Sequence, residues 1–363
     1  MAVPDPSRLG QVGEDGVLRQ VLGRYAGPPG WLRVPPGDDA AVIDPAAFGV
    51  LGVVAAMDTV VEGRDFVREW SSGADVGVKV AAQNFADIAA MGARPVALLV
   101  SLTAPGDLPL DFATGLADGL AAECARAGAA VAGGDLSDGD SIVVSATALG
   151  ALVTNAVRRR GAAAGDVVAV AGVLGASAAG LALLQAGVTG PGRGEGDEAG
   201  AALAWALAAH RRPAPPYLAG PIAAAAGATA MIDVSDGLVR DAARVADASA
   251  VVLALESRLL VPDPRLAAVA GVLERARPQD ARPEDARRER ARLVQEWVMT
   301  GGEDHALLAC FPHGSDVPSP FRRVGTVEGA PRTATAEPQF AVRLDGELWS
   351  GSQGWRHWPV PDS

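Results

Sequence analysis

The sequence predicts a mixed α/β (α+β) protein made of two domains. Three observations carry that prediction. Short apolar runs rich in Val, Ile and Ala alternate with longer segments of helical periodicity along both halves. A length of 363 residues exceeds one ordinary core. A basic run, Arg158-Arg159-Arg160, followed by Gly161, marks a junction. The expected domains are residues 1–153 and 154–363.

In the first domain Ala40–Ile43 and Val50–Met57 read as strands, and Ala74–Met91 as a helix. Val96–Leu102 is a strand, Phe112–Ala127 a helix and Ala129–Ala132 a short strand ending at Gly133-Gly134-Asp135. Ile142–Leu152 is a longer strand. In the second domain Val167–Ala171 is a strand, Gly172 and Gly175 break it, and Ser177–Gln185 is helical. Residues 189–200 read as a Gly-rich acidic loop, Ala201–His210 as a helix stopped by the prolines from Pro213 on, and Pro221–Gly227 as a helix. Ala230–Val234 is a strand, Leu238–Ala248 a helix and Val251–Leu255 a strand. Residues 277–292 are dense in charge and read as a solvated helix or loop. Ala306–Phe311, Arg323–Val327 and Phe340–Leu344 close the domain as strands.

Composition excludes several classes. With 49% apolar and 20% charged residues the chain is globular rather than disordered. A net charge of −12 argues against a nucleic-acid binder, which needs a basic surface. The two cysteines have neither disulfide nor metal spacing, which fits a reducing, cytoplasmic compartment. No signal-peptide pattern opens the chain. Residues 167–192 lack charge, but the glycine breaks make them strand, turn and helix rather than a membrane span.

Short acidic clusters beside glycine punctuate the apolar runs: Gly37-Asp38-Asp39, Met57-Asp58-Thr59, Asn84-Phe85-Ala86-Asp87, Gly133-Gly134-Asp135, Asp233-Val234-Ser235-Asp236-Gly237 and Gly301-Gly302-Glu303-Asp304. Each alone is explained by a turn or a helix cap. Together they point to a site for hard cations and phosphates, because converging carboxylates repel unless a cation lies between them. On the helix Ala74–Met91, Lys79, Gln83 and Asp87 fall on one side, and Lys79 is the only lysine of the chain. A polar solvated face is the ordinary reading; a need for a compact ammonium is the sharper one. The acidic stretch from Asp135 to Asp140 fails the register of a calcium loop. No Walker A loop, dinucleotide fingerprint or kinase catalytic loop is present, and no nucleophile pattern accompanies His305.

The ordered set resembles the thiamine-monophosphate kinase family, within the superfamily of aminoimidazole ribonucleotide synthetase-like ATP enzymes. The motifs that carry the resemblance are Gly37-Asp38-Asp39, Asp58-Thr59-Val60-Val61-Glu62-Gly63, the segment from Lys79 through Asn84 and Asp87 to Gly92, Gly134-Asp135, Asp233 to Leu238, Gly301 to Asp304, and the closing Gly354-Trp355 with Trp358. The resemblance spans about residues 37–358. It implies a two-domain fold, each domain a mixed sheet with packed helices. It also implies a homodimer with ATP largely at the subunit interface, and Mg2+-dependent transfer of the ATP γ-phosphoryl group to thiamine phosphate. By motif, Asp39, Asp58, Asp87, Asp135, Asp233 and Asp236 would hold several Mg2+ ions; Gly134, Asp135, Arg159 and Ser235 would contact ATP. Asp87, Asp135, Asp236 and Lys79 would serve the transfer itself, and Asp65, Glu303 and Trp355 would line the thiamine side. No nucleic-acid or membrane partner is expected. Ala56 and Met57 stand where the family commonly has Ser-Thr, Asp65 where it has a substrate-contacting His, and His305 where it has Tyr. Two alternatives remain: another ATP enzyme of the superfamily, such as aminoimidazole ribonucleotide synthetase, or an inert metal- or nucleotide-binding homologue. Selenophosphate synthetase would want a reactive Cys near the start, and residues 1–36 contain none.

Overall fold

The computed structural model describes residues 20–21, 23–25, 29–34, 42–43, 46, 49, 51–190, 197–275, 283–329, 342–352 and 354. Asp38, Asp39, Trp355 and Trp358 lie outside these. The chain divides into two compact units, Met1–Asn155 and Ala156–Ser363, two residues later than the sequence boundary.

The first unit opens with a small antiparallel pair, β1 (Leu32–Val34) and β2 (Val42–Ile43). Its main sheet has four strands: β3 (Gly52–Val61), β4 (Arg94–Ala104), β5 (Ala130–Asp138) and β6 (Val143–Leu152), in the order β3-β6-β4-β5. Only β4 and β5 run parallel. Helices α1 (Gly73–Ala90) and α2 (Leu110–Ala127) pack on one face. Ser72 starts α1 with a reciprocal cap: its hydroxyl accepts from the Asp75 N–H, and the Asp75 carboxylate accepts from the Ser72 N–H at 2.8 Å. The two helices touch backbone to backbone; a Cβ on Gly77 would stand 2.2 Å from the Leu116 carbonyl oxygen. The other sheet face is open, so β3 alternates between half-buried and exposed residues.

The sequence predicts that the strand starting at Ala129 ends at Ala132. Instead β5 continues through Gly133, Gly134 and Asp135 to Asp138, because β4 supplies a full row of parallel pairs. Pairing overrides the low strand propensity of Gly and Asp.

The second unit holds a seven-stranded sheet made of β7 (Val167–Ala171), β8 (Ala230–Val234), β9 (Val251–Leu255), β10 (Ala306–Phe311), β11 (Arg322–Gly329), β12 (Val342–Leu344) and β13 (Glu347–Leu348). The order is β13-β12-β9-β11-β7-β10-β8, with β12 and β9 the parallel pair. The helices are α3 (Ala176–Gln185), α4 (Asp197–Arg211), α5 (Ala219–Ala225), α6 (Leu238–Ser249), α7 (Pro264–Arg275) and α8 (Pro283–Thr300). Helices α3, α4, α7 and α8 form one packed group, while α6 lies along β8 and β9. Helix α4 begins inside the stretch read as loop, and α7 was not foreseen. The charged stretch 277–292 falls partly on α8, whose C-terminal part carries the buried Val294, Trp297, Val298 and Met299. Within the uncharged stretch 167–192 the structure has β7 and then α3, and among the described residues no helix is long and apolar enough to cross a membrane. Strands β8 and β10 are buried along their whole length, and β7 beyond Val167, so the acidic residue Asp233 is carried inside an apolar strand.

Candidate active site

In the first unit Asp58 lies beside α1 and Asp87 lies on it. Asn84 is fully buried; its amide donates to the Val80 carbonyl at 2.8 Å, and its Oδ1 accepts the backbone N–H of Asp58 at 3.0 Å. One side chain thereby ties the site-bearing stretch of β3 to the helix. Asp87 stands one turn further along α1, so Asp58 and Asp87 flank Asn84, and both are half-buried.

Lys79 is not on a solvated face. It is 2% exposed, and its Nζ donates to the Asp65 carbonyl at 3.2 Å. The Asp65 carboxylate accepts the Val61 N–H at 2.8 Å. Both groups of Asp65 therefore close the turn after β3.

Asp135 lies elsewhere. The row Thr59, Ser145, Ser101, Asp135 runs across the sheet in register, and the Thr59 and Ser145 hydroxyls meet at 2.8 Å on the open face. Asp135 is exposed on that face, beside the Ser137 hydroxyl at 2.9 Å. Asp58 belongs to the half-buried set of β3 that faces α1 and is three strands, about 14 Å, away. Within this unit Asp58 and Asp87 each lie beside Asn84, and Asp135 lies apart. Gly134 is exposed and has no room for a side chain, since a Cβ would meet the Val100 carbonyl at 2.0 Å.

In the second unit the turn after β8 meets the turn before β10. Glu303 donates its N–H to the Ser235 carbonyl at 2.7 Å, and His305 donates its N–H to the Val234 carbonyl at 2.9 Å. Both have positive φ, 62° and 51°. Two non-glycine residues in the left-handed region within one turn store strain that the surrounding contacts must hold. The His305 ring N–H faces Asp233 Oδ2 at 3.1 Å, which gives the buried carboxylate a partner.

Asp236 faces two guanidinium groups, Arg244 at 2.5 Å and Arg240 at 3.3 Å. Its backbone N–H donates to Asp241 Oδ2 at 3.0 Å, and Arg244 also donates to Asp241 at 2.5 Å. Burial first, and then the Asp233 charge, push the Asp241 carboxyl up to about 7. Gly354 closes on the same turn: a Cβ there would stand 2.1 Å from the Asp236 carbonyl oxygen, which brings the chain just before Trp355 to this cluster. Arg159 is not part of it. It is exposed, and its carbonyl accepts the Ser249 hydroxyl at 3.1 Å, at the opposite end of the twelve-residue α6, about 16 Å along the helix.

The chain is similar along its whole length to known proteins. Residues 37–152 match the model of the AIR synthase related protein, N-terminal domain. The thiamine-monophosphate kinase of Mycobacterium tuberculosis is 40% identical over 365 residues, covering 100% of this chain and 96% of the relative. This chain belongs to the thiamine-monophosphate kinase family. The family member of Corynebacterium glutamicum is 37% identical over 362 residues, 98% of either chain. Among solved structures, AaThiL complexed with AMPPCP and TMP superposes with a TM-score of 0.68 at 26% identity, covering 97% of this chain and 99% of that one. The mixed two-unit architecture is that of this thiamine-monophosphate kinase neighbourhood.

Three further polar residues, which sequence reasoning did not single out, lie beside these turns of the second unit. Asp241 was passed over because it sits inside a helix; the available signal was an acid on the apolar side of an amphipathic segment between Arg240 and Arg244. Asp304 was read as a turn former. Its carboxylate accepts the N–H groups of Gly175 at 2.5 Å and Ser177 at 2.9 Å, capping α3 from the next turn. Burial pushes the Asp304 carboxyl up to about 7, against those amides, which favour the ionised form. His210 is buried near Ser177 and Glu303. Both cysteines are buried and free, and burial pushes the Cys310 thiol up to about 12.

Proposed function

We propose that this chain transfers the γ-phosphoryl group of ATP to thiamine phosphate, giving thiamine diphosphate and ADP. The observation that carries the reading is full-length membership of the thiamine-monophosphate kinase family together with the acidic turns around β8 and β10. The structural neighbour holding AMPPCP and TMP supports the same pair of ligands here, since AMPPCP is an ATP analogue with carbon in the β,γ bridge. A terminal phosphate oxygen of thiamine phosphate attacks the γ phosphorus. The bond from that phosphorus to the β,γ bridging oxygen breaks, and ADP leaves with the electron pair. The attacking oxygen is already anionic near neutral pH, so no strong base is required, and positioning and charge neutralisation carry the catalysis.

Mg2+ is part of the proposal. The residue types suit a hard cation, all being oxygen ligands: Asp58 and Asp87 flank Asn84 in the first unit, and Asp233 and Asp236 bracket the turn after β8 in the second, while among the described residues no three acids or histidines converge as a ready cation site. In the second unit Arg240 and Arg244 face the Asp236 carboxylate, and the His305 ring lies beside Asp233. Bound Mg2+ would lower the repulsion between the two anionic ligands. Asp39 belongs to this set by motif, as do Gly134, Asp135, Arg159 and Ser235 to the ATP contacts. Lys79 fixes the turn of Asp65 and adds a buried positive charge to the α1 side. Glu303 and Trp355 would face the cationic, aromatic acceptor.

We further propose a homodimer acting in the cytoplasm. The open face of the first sheet exposes Val53 by 67%, Met57 by 65% and Leu99 by 40%, a patch that a second copy would cover. Asp135 lies on that face, so a copy docked there would place its carboxylate at the interface. Buried free thiols support a reducing compartment.

Phosphorus NMR of the protein with ATP, Mg2+ and thiamine phosphate tests the activity. The expected result is a new diphosphate signal that needs thiamine phosphate; ATP binding without that signal sinks the reading.

A further inference from the structure

We infer that His210 is a positioning residue that aims the Glu303 carboxylate at the acceptor. The inference rests on the reading of Glu303 as the acceptor-side carboxylate. Three elements meet at this imidazole. His210 occupies the last turn of α4 and is buried; its Nδ1 lies 3.1 Å from Ser177 Oγ in the first turn of α3 and 3.3 Å from Glu303 Oε2.

Sequence explains how the ring gets there. Gly180 lets α3 and α4 approach at backbone distance, since a Cβ there would stand 2.1 Å from the Ala206 carbonyl and 2.9 Å from the His210 Cβ. The backbone around Glu303 is pinned independently. Its own N–H donates to Ser235, and the neighbouring Asp304 holds the N–H groups of Gly175 and Ser177. What remains to be fixed is the Glu303 side chain, a flexible group with several torsions. The side chain is 34% exposed, so it is within reach of a ligand while one carboxylate oxygen meets the ring. A planar ring on a packed helix, itself bonded to Ser177, is a stiff partner for that carboxylate.

A ring that merely fills space between α3 and α4 would behave differently under substitution. His210→Phe keeps the ring and removes its nitrogen atoms. His210→Asn removes the ring and keeps an amide nitrogen close to the Nδ1 position. With ATP and Mg2+, His210→Phe is expected to raise KM for thiamine phosphate about tenfold, the loss of about 1.4 kcal/mol of binding. KM for ATP should stay unchanged. His210→Asn should stay within about threefold of wild type for both substrates. In a Glu303→Gln background His210→Phe should add no further rise, as for residues acting through one another. The reverse order, Phe tolerated and Asn damaging, overturns the inference, and so does an equal rise in both KM values or additive effects in the double variant. Thermal melts of each variant separate a folding loss from a binding loss. A wild-type protein that does not turn over thiamine phosphate overturns the functional reading and this inference with it; an active wild type with unselective His210 variants overturns the inference alone.

Discussion

Lys79 and Asp304 are charged residues that the fold uses in ways their neighbours in sequence do not announce. The Lys79 ammonium is buried against the Asp65 carbonyl, so Lys79→Met leaves that oxygen without this donor and should cost about 1–3 kcal/mol. Lys79→Arg forces a larger planar group into the same seat, at a cost of about 1–3 kcal/mol from overpacking. Urea midpoints for both variants should fall below wild type; an unchanged Arg variant would show that the seat requires only positive charge. For Asp304 the sign of the pH effect is fixed by the direction of its shift. The folded carboxyl is raised from 3.8 to about 7, so the folded state binds the extra proton between those values. Its contribution to stability is complete below about pH 4 and is lost as pH rises through 7. Asp304→Asn removes that titration. The gap in unfolding free energy between wild type and variant should therefore shift towards the variant from pH 4 to 8. A gap that stays constant over the range contradicts the assignment.

At the scale of elements, α1 and α2 are locked by close backbone approach rather than by interleaved side chains. This explains why the N-terminal unit can build its helix layer from Ala, Gly and Val with few aromatics. The geometry separates two otherwise similar substitutions. A Cβ at Gly77 would meet the Leu116 carbonyl oxygen at 2.2 Å, and backbone cannot turn aside. At Gly115 the nearest atom, the Ala74 nitrogen, is 3.3 Å away. Ala is favoured over Gly within a helix by about 1 kcal/mol. That gain should decide Gly115→Ala, which is expected to be close to neutral. It should be overwhelmed in Gly77→Ala, which is expected to lose about 1–3 kcal/mol. Denaturant unfolding of the two variants measures the difference, and equal stabilities would show that the helices can move apart at little cost.

For the whole molecule, the open sheet face of the first unit is the feature with the largest consequence. Val53 and Met57 alternate with half-buried residues along β3, so the strand presents one apolar side to solvent in a single copy. If that face is the dimer contact, Val53→Asp combined with Met57→Asp should halve the sedimenting mass while leaving the far-UV circular dichroism unchanged. Turnover should fall with the dimer, because Asp135 lies on the same face. A variant that stays dimeric moves the contact to another surface.

What the sequence determined by itself is what local pattern encodes. The alternation of short apolar runs and helical stretches placed β7, β8, β9 and β10 at their observed bounds, because each is a continuous buried run closed by turn residues. The ordered acidic motifs identified the family. Tertiary structure decided the rest. Partner strand β4 carried β5 through two glycines. Packing buried Lys79 on a helix side that reads as polar. The contacts of Asp304 with Gly175 and of His210 with Ser177 join residues 129 and 33 positions apart. Such pairs leave no mark on local composition, because a cap or a positioning contact made across the fold constrains where two backbones meet and not which residues flank them.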